Sequence, residues 1–228
     1  MVAAVAVTAV FAALAYRLGM VSAGGAAGGM VIGTLVYAGL GAPGFAVLAL
    51  FVVGGSLLTR LGYERKRRSG TAEARGGRRG AKNALANGGV AVACALLASA
   101  TPYGEGFAAA FVAALGAAFA DTAESEIGQL AGGSPRLITT MQKVRPGTDG
   151  AVSLAGTLAG VAAAGITAAL GAVLGLAGEL APVAAAAFLG TVVDSLIGAL
   201  APRIGNELTN VSGTLAAAGA AFVLIGWF

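Results

Sequence analysis

The sequence contains no histidine, a single cysteine and little charge. Without imidazole there can be no histidine general base and no histidine-ligated metal. Cys94 stands alone inside an apolar run, which excludes a disulfide within the chain. Charged residues make up 11% of the 228 positions and hydrophobic residues 57%, whereas soluble domains carry roughly 25% charge. An aqueous globule is therefore excluded and a membrane protein implied. No Lys or Arg precedes Arg17, so the basic start of a cleaved signal peptide is missing and the first residues read as a span. No G-x-x-x-x-G-K-[ST] stretch occurs, so a nucleotide site here would not be a P-loop.

What is present is Ala, Val, Leu and 38 glycines, the mixture that lets helix backbones approach closely in lipid. Gly25, Gly29 and Gly33, and likewise Gly171 and Gly175, read as contact seams. Such seams join helices within one chain or between two copies of a homodimer. Apolar stretches near the ~20 residues that cross a bilayer fall at about 2–16, 22–40, 45–59, 84–100, 106–120, 151–176, 181–200 and 210–228. The fold class is thus an all-α polytopic membrane protein of about eight transmembrane helices, one transmembrane domain over 1–228.

The basic residues support that count. Arg17 falls between spans one and two; Arg60, Arg65, Lys66, Arg67, Arg68, Arg75, Arg78, Arg79 and Lys82 between three and four; Arg136, Lys143 and Arg145 between five and six; and Arg203 between seven and eight. Each lies at an alternate connection. The positive-inside rule then places these connections in the cytoplasm and both termini outside, in an inner (plasma) membrane. The stretch 62–82 reads as a disordered basic cytoplasmic loop that fixes topology and touches anionic headgroups. No nucleic-acid partner is expected.

The segment ESEIGQL (Glu124–Leu130) aligns with DSLIGAL (Asp194–Leu200). Each is followed by a Pro-Arg pair, Pro135-Arg136 or Pro202-Arg203, and then by an outbound span opening with Val-Ser and Gly-Thr-Leu-Ala. This reads as an internal parallel repeat with both acidic ends on one membrane face.

Asp121, Glu124 and Glu126 lie within six positions at the end of an apolar run, and ionisable groups in a span are a functional hypothesis by default. At 100° per residue, Asp121 and Glu124 lie about 60° apart on a helix and Asp121 and Glu126 about 140° apart. Gly128 and the GGSPR turn suggest that the helix breaks here, which would bring Glu126 round. The segment 121–150 then reads as a cytoplasmic catalytic-type loop supplying Arg136, Thr139, Thr140, Lys143, Arg145 and Asp149. Carboxylates suit Mg²⁺ and cations suit phosphate oxygens. Asn83, Asn87, Asp194, Arg203 and Asn206 lie at ends of similar depth, whereas Ser125 and Ser195 read as helix-packing hydroxyls rather than nucleophiles.

The run D-T-x-x-S-E-I-G (Asp121–Gly128), followed by S-P-R-L-I-T-T (Ser134–Thr140), Lys143-Val144 and P-G-T-D-G (Pro146–Gly150), resembles the signature of an integral-membrane family that includes plant and cyanobacterial phytyl phosphate kinase. LANGG (Leu85–Gly89) and VVDSLIGAL (Val192–Leu200) extend the resemblance. The family is distantly similar to dolichol and phytol kinases and, further off, to phosphatidate cytidylyltransferases. That kinship implies Mg²⁺ and a nucleoside triphosphate, CTP rather than ATP. The family pattern favours Asp121 and Glu126 as the acids, whereas the helix wheel and the repeat favour Asp121 and Glu124.

The resulting expectation is an isoprenoid monophosphate kinase with a phytyl- or geranylgeranyl-type membrane substrate. Its catalytic candidates are Asp121, Glu124, Glu126, Lys143, Asp149 and Asp194, with Asp121, Glu126 and Asp194 as metal ligands. Its binding candidates are Asn87, Ser125, Arg136, Thr139, Thr140, Arg203 and Asn206. An ion-coupled transporter and a prenyl alcohol kinase or cytidylyltransferase-like enzyme are the alternatives.

Overall fold

The structure, a computed structural model, describes residues 1–225. The last three positions of the expected span 210–228 lie outside the described residues. Among the described residues there are nine helices and one two-stranded ribbon: α1 (Val2–Arg17), α2 (Ala23–Arg60), α3 (Tyr63–Arg68), α4 (Ala74–Gly77), α5 (Ala81–Ala100), α6 (Gly104–Ala131), β1 (Arg136–Leu137), β2 (Ala151–Val152), α7 (Leu154–Val173), α8 (Leu180–Leu200) and α9 (Asn206–Ile225). Six of them, α2 and α5 to α9, are long and apolar enough to cross a membrane, and α1 is a shorter apolar helix.

The 38 residues of α2 do not run straight. Gly41 has φ 63° and ψ −156°, a conformation open to glycine and strained for any L side chain. Pro43 follows, removing a backbone donor at the break. The two arms fold back on each other: the ring of Phe45 lies against Gly33, and Val36 lies against Gly44. The apolar stretches at about 22–40 and 45–59 coincide with these two arms.

At the centre stands α6. Every residue from Ala108 to Ala120 is buried, as expected of a helix that is apolar on all sides and enclosed by others. Small residues make that enclosure possible. A Cβ on Gly116 would stand 2.9 Å from the Ala187 Cβ of α8, one on Gly171 of α7 would meet Val112 at 2.7 Å, and one on Gly54 of α2 would meet Phe119 at 2.7 Å. Helices α8 and α9 meet just as closely, Gly190 against the Gly213 carbonyl. The α9 ring of Phe222 stacks 4.5 Å from Phe107 near the start of α6. The C-terminal part of α9 thus sits beside the N-terminal part of α6, and the two helices run antiparallel.

Three sequence expectations are corrected here. Of the glycine seams, Gly25, Gly33 and Gly171 make tight contacts, but Gly29 faces open space and Gly175 lies beyond α7 with φ 73°. The basic loop 62–82 is not left to solvent: it forms α3 and α4 and buries Lys66. Finally, α6 does not break at Gly128 but continues to Ala131, because Gly128 serves close packing against Ser153 Oγ, 2.9 Å from its would-be Cβ.

Gly190→Leu should destabilise the bundle by about 1–3 kcal/mol or more through overpacking. Gly219→Leu, where nothing lies within 4 Å, should stay within about 0.5 kcal/mol of the parent. Thermal unfolding of the two variants in detergent measures the difference.

Candidate functional site

Four helix ends meet at one place. The C-terminal halves of α6 and α8 bring Asp121, Glu124 and Asp194, and the first turns of α7 and α9 bring Ser153, Gly156, Thr157, Asn206 and Thr209, to a cavity of about 280 Å³. Ser153 caps α7 by accepting a hydrogen bond from the Gly156 amide at 3.1 Å. The PGTDG turn adds Asp149, and Glu73 reaches in from the basic loop. Five carboxylates therefore line the cavity, and no Lys or Arg does. Its positive features are the amide ends of two helices.

Two of the acids are held individually. The Thr191 hydroxyl donates to Glu124 Oε1 at 3.1 Å. With its amide oriented to satisfy its neighbours, Asn210 donates to Asp194 Oδ2 at 3.1 Å and accepts from Asn87 Nδ2 at 3.1 Å. Asn87 in turn donates to the Asn83 carbonyl at 3.0 Å. Glycines let the following helices sit directly on the acids: Gly156 and Gly160 of α7 abut Glu124, and Gly213 of α9 lies against the Asp194 Cβ. Among the described residues no group of three or more His, Cys, Asp or Glu is gathered tightly enough to hold a metal ion by itself.

On the opposite face of α6, Glu126 is buried and pairs with Lys66, also buried. The ammonium gives its remaining hydrogen bonds to the Thr59 carbonyl at 2.8 Å and the Leu58 carbonyl at 3.3 Å. These lie at the C-terminal end of α2, where a cation is electrostatically welcome. Close by, Arg79 donates to the Thr122 hydroxyl at 3.0 Å.

The family model for an integral membrane protein designated DUF92 matches residues 6–211. The chain belongs to this family. Among curated relatives, the DUF92 chain is 38% identical over 188 residues to an uncharacterized membrane protein, sll0875, of Synechocystis sp., covering 79% of this chain and 73% of that one. It is 34% identical over 184 residues to Protein VTE6, chloroplastic, of Arabidopsis thaliana, covering 78% of this chain but only 55% of that protein. It is 35% identical over 204 residues to an uncharacterized membrane protein, MJ0933, of Methanocaldococcus jannaschii, covering 84% and 80%. No solved structure matches. The resemblance carried by the Asp121–Gly150 motifs is thereby borne out.

In the DUF92 chain the sequence candidates divide by position. Asp121, Glu124, Ser125, Asp149, Asp194 and Asn206 line the cavity, and buried Asn87 reaches it through Asn210. Glu126 does not line it, since the uninterrupted helix turns it toward Lys66. Nor do Arg136, Thr139, Thr140, Lys143 and Arg203, all of them exposed. Arg136 is occupied locally, donating to the Met141 carbonyl at 2.7 Å, and the β1–β2 pairing of Arg136 with Val152 pins this loop as a ribbon. The second Val-Ser pair also differs from expectation. Ser153 caps α7, whereas α9 already begins at Asn206, so Ser212 lies inside it.

Sequence reading missed Glu73, Thr191, Thr209 and Asn210. The last three are hydroxyls and an amide inside otherwise apolar spans, a signal that was available. Glu73 sits among arginines in a glycine-rich loop and carried no signal.

Lys66→Met or Glu126→Gln alone should destabilise the folded protein by about 3–5 kcal/mol, because each leaves a buried partner unpaired. The double change Lys66→Met with Glu126→Met should recover most of that loss. Detergent-state melting curves of the three variants decide it; equal damage in the double variant would mean that the pair has no coupling of its own.

Proposed function

We propose that this protein is an isoprenyl monophosphate kinase, transferring the terminal phosphoryl group of a nucleoside triphosphate, CTP in preference to ATP, to a phytyl- or geranylgeranyl-type phosphate at the cytoplasmic face of the plasma membrane. The observation that carries the reading is the cavity: five carboxylates and two helix N-termini on one space, with no basic side chain among its walls. Family membership and the similarity to VTE6 support it.

A cavity so rich in hard oxygen donors calls for a counter-cation. Mg²⁺ is ordinarily held by one or two carboxylates, with waters and substrate phosphates supplying the rest, so the lack of a tight three-acid cluster suits it. Asp121 and Asp194 would hold the ion, Asn210 fixing the rotamer of Asp194; bound there it would neutralise phosphate charge. The amide ends of α7 and α9 receive phosphate oxygens, a role sequence reading gave to Arg136, Lys143 and Arg203. Glu124, held by Thr191, and Asp149 border the same space. The acceptor oxygen of a phosphate monoester is largely ionised at neutral pH, its second pKa being near ~6. No general base is then needed, and the work is positioning and charge stabilisation.

The two arms of α2, α1 and the five helices α5 to α9 are read as eight crossings with both termini outside. Glu124 with Gly156, and Asp194 with Gly213, are read as equivalent positions of a parallel repeat. Both acids meet the first glycine of the Gly-Thr-Leu-Ala stretch in the helix that follows, and this supports the assignment.

Purified protein in detergent, given labelled CTP or ATP, Mg²⁺, and phytyl or geranylgeranyl monophosphate beside the free alcohols, should form the prenyl diphosphate. Asp121→Asn should lower the rate by on the order of 10²-fold or more. No product from any pair, together with no nucleotide binding, would sink the kinase reading and favour an ion-coupled carrier.

A further inference from the structure

A second cavity is lined by none of the acids. It is an apolar groove of about 60 Å³ between α1, both arms of α2 and α5, walled by Phe11, Ile32, Phe45, Leu48 and Phe51, with Gly29 on its floor. A side chain built on Gly29 would meet nothing within 4 Å. At one end stand the only polar residues of the lining, Arg79 and Asn83.

Arg79 is incompletely satisfied. Its Nη2 donates to Thr122 at 3.0 Å and its Cζ lies 5.1 Å over the Phe51 ring, but Nη1 is buried without a partner. Among the described residues the ion pairs are Lys66–Glu126 and Arg67–Glu64, so Arg79 has no carboxylate in contact. An unpaired guanidinium beside an apolar groove is costly unless an anion joins it. The backbone around it is fixed from both sides. The Ser22 amide donates to the Arg79 carbonyl at 3.0 Å, and the Arg79 amide donates to the Met20 carbonyl at 3.2 Å. Gly55 leaves room for the guanidinium, whose Nη2 would stand 3.0 Å from a Cβ there.

Position gives the chemistry. Thr122, which holds Arg79, follows Asp121 on α6. Asn83, at the same end of the groove, accepts from Asn87, which is joined to Asp194 through Asn210. The polar end of the groove thus lies beside the acid cavity. We infer that this groove holds the first one or two isoprene units of the phosphorylated lipid, the rest of the tail lying in the bilayer, with its phosphate drawn to Arg79 beside Asp121. The inference rests on the kinase reading for its choice of lipid. Its physical basis is a charge beside an apolar groove, a pairing that suits one amphiphile: an anionic head followed by a hydrocarbon chain. Arg79 is then a binding group for the acceptor, and it supplies the positive charge that the acid cavity lacks.

The test reads binding and leaves turnover aside. A photoreactive geranylgeranyl monophosphate is crosslinked to the full-length protein in detergent and the adducts are mapped by mass spectrometry. Adducts should fall on α1, α2 and α5 around the groove. Gly29→Trp should lower labelling by roughly ten-fold or more, while CTP binding and the melting temperature stay those of the parent. Arg79→Gln should weaken the monophosphate by roughly ten- to a hundred-fold and leave the weaker binding of the free alcohol unchanged. Gly29→Ala serves as the mild control and should label like the parent. Adducts elsewhere, full labelling in a folded Gly29→Trp, or phosphatidate competing as well as the prenyl phosphate would each overturn the inference. If groove labelling persists and no phosphoryl transfer occurs, the kinase reading fails while the tail site stands.

Discussion

Close approach of helix backbones to α6 is the constraint on which the rest of the fold depends. A helix buried on every side must meet its neighbours through side chains small enough to let five other helices reach it. Alanines along α6, and glycines facing it from α2, α7 and α8, meet that demand. Lipid offers little hydrophobic drive for helix association, so the dispersion gained at these short distances carries much of the stability. The same constraint limits where α6 can bear charge. Only its first turn, which bears the exposed Glu105, and its last turns escape full enclosure, and the carboxylates of its C-terminal half sit in the latter.

Those carboxylates are sorted by helical angle. Asp121 and Glu124 share a face and look into the cavity, while Glu126, turned about 140° from Asp121, finds Lys66. One short acidic stretch thereby does two different jobs. Its outer face ties α6 to the end of α2 through an ammonium that also satisfies two helix carbonyls. Its inner face presents unneutralised oxygen to a space ringed by helix N-termini. No lysine or arginine lines that inner wall, so under the kinase reading the acids are left to a cation, and anions to the amide ends and to Arg79 next door.

Much of this was legible in the sequence, for physical reasons that can be named. Apolar runs long enough to span a bilayer stand out because a membrane helix has no other composition open to it. The acids were visible because charge is so rare around them, and the angle between Asp121 and Glu124 follows from helix geometry alone. What could not be read was partner choice across long separations. Nothing local marks Lys66 among its neighbouring arginines as the one that is buried, nor Glu126 as the acid it meets. Gly128 looked like a helix breaker because glycine is ambiguous: the same missing side chain that loosens a backbone also admits a neighbouring helix. Arg136, Lys143 and Arg203 were credible phosphate ligands by charge and place in the chain, but the β1–β2 ribbon and the short turn before α9 hold them outward.

The Lys66–Glu126 tie bears on how the protein is made. Its two ends are separated by 60 residues, and chains are synthesised at roughly 5–20 residues per second. For roughly 3–12 s after Lys66 leaves the ribosome, its buried place has no counter-charge, and the end of α2 has no reason to settle there. The amino-terminal helices can pack on one another, Phe11 on Phe45 and Phe45 on Gly33, but the end of α2 has its charged partner only once α6 has been made. Biogenesis of this membrane protein is in that sense scheduled by a helix from the middle of its own chain.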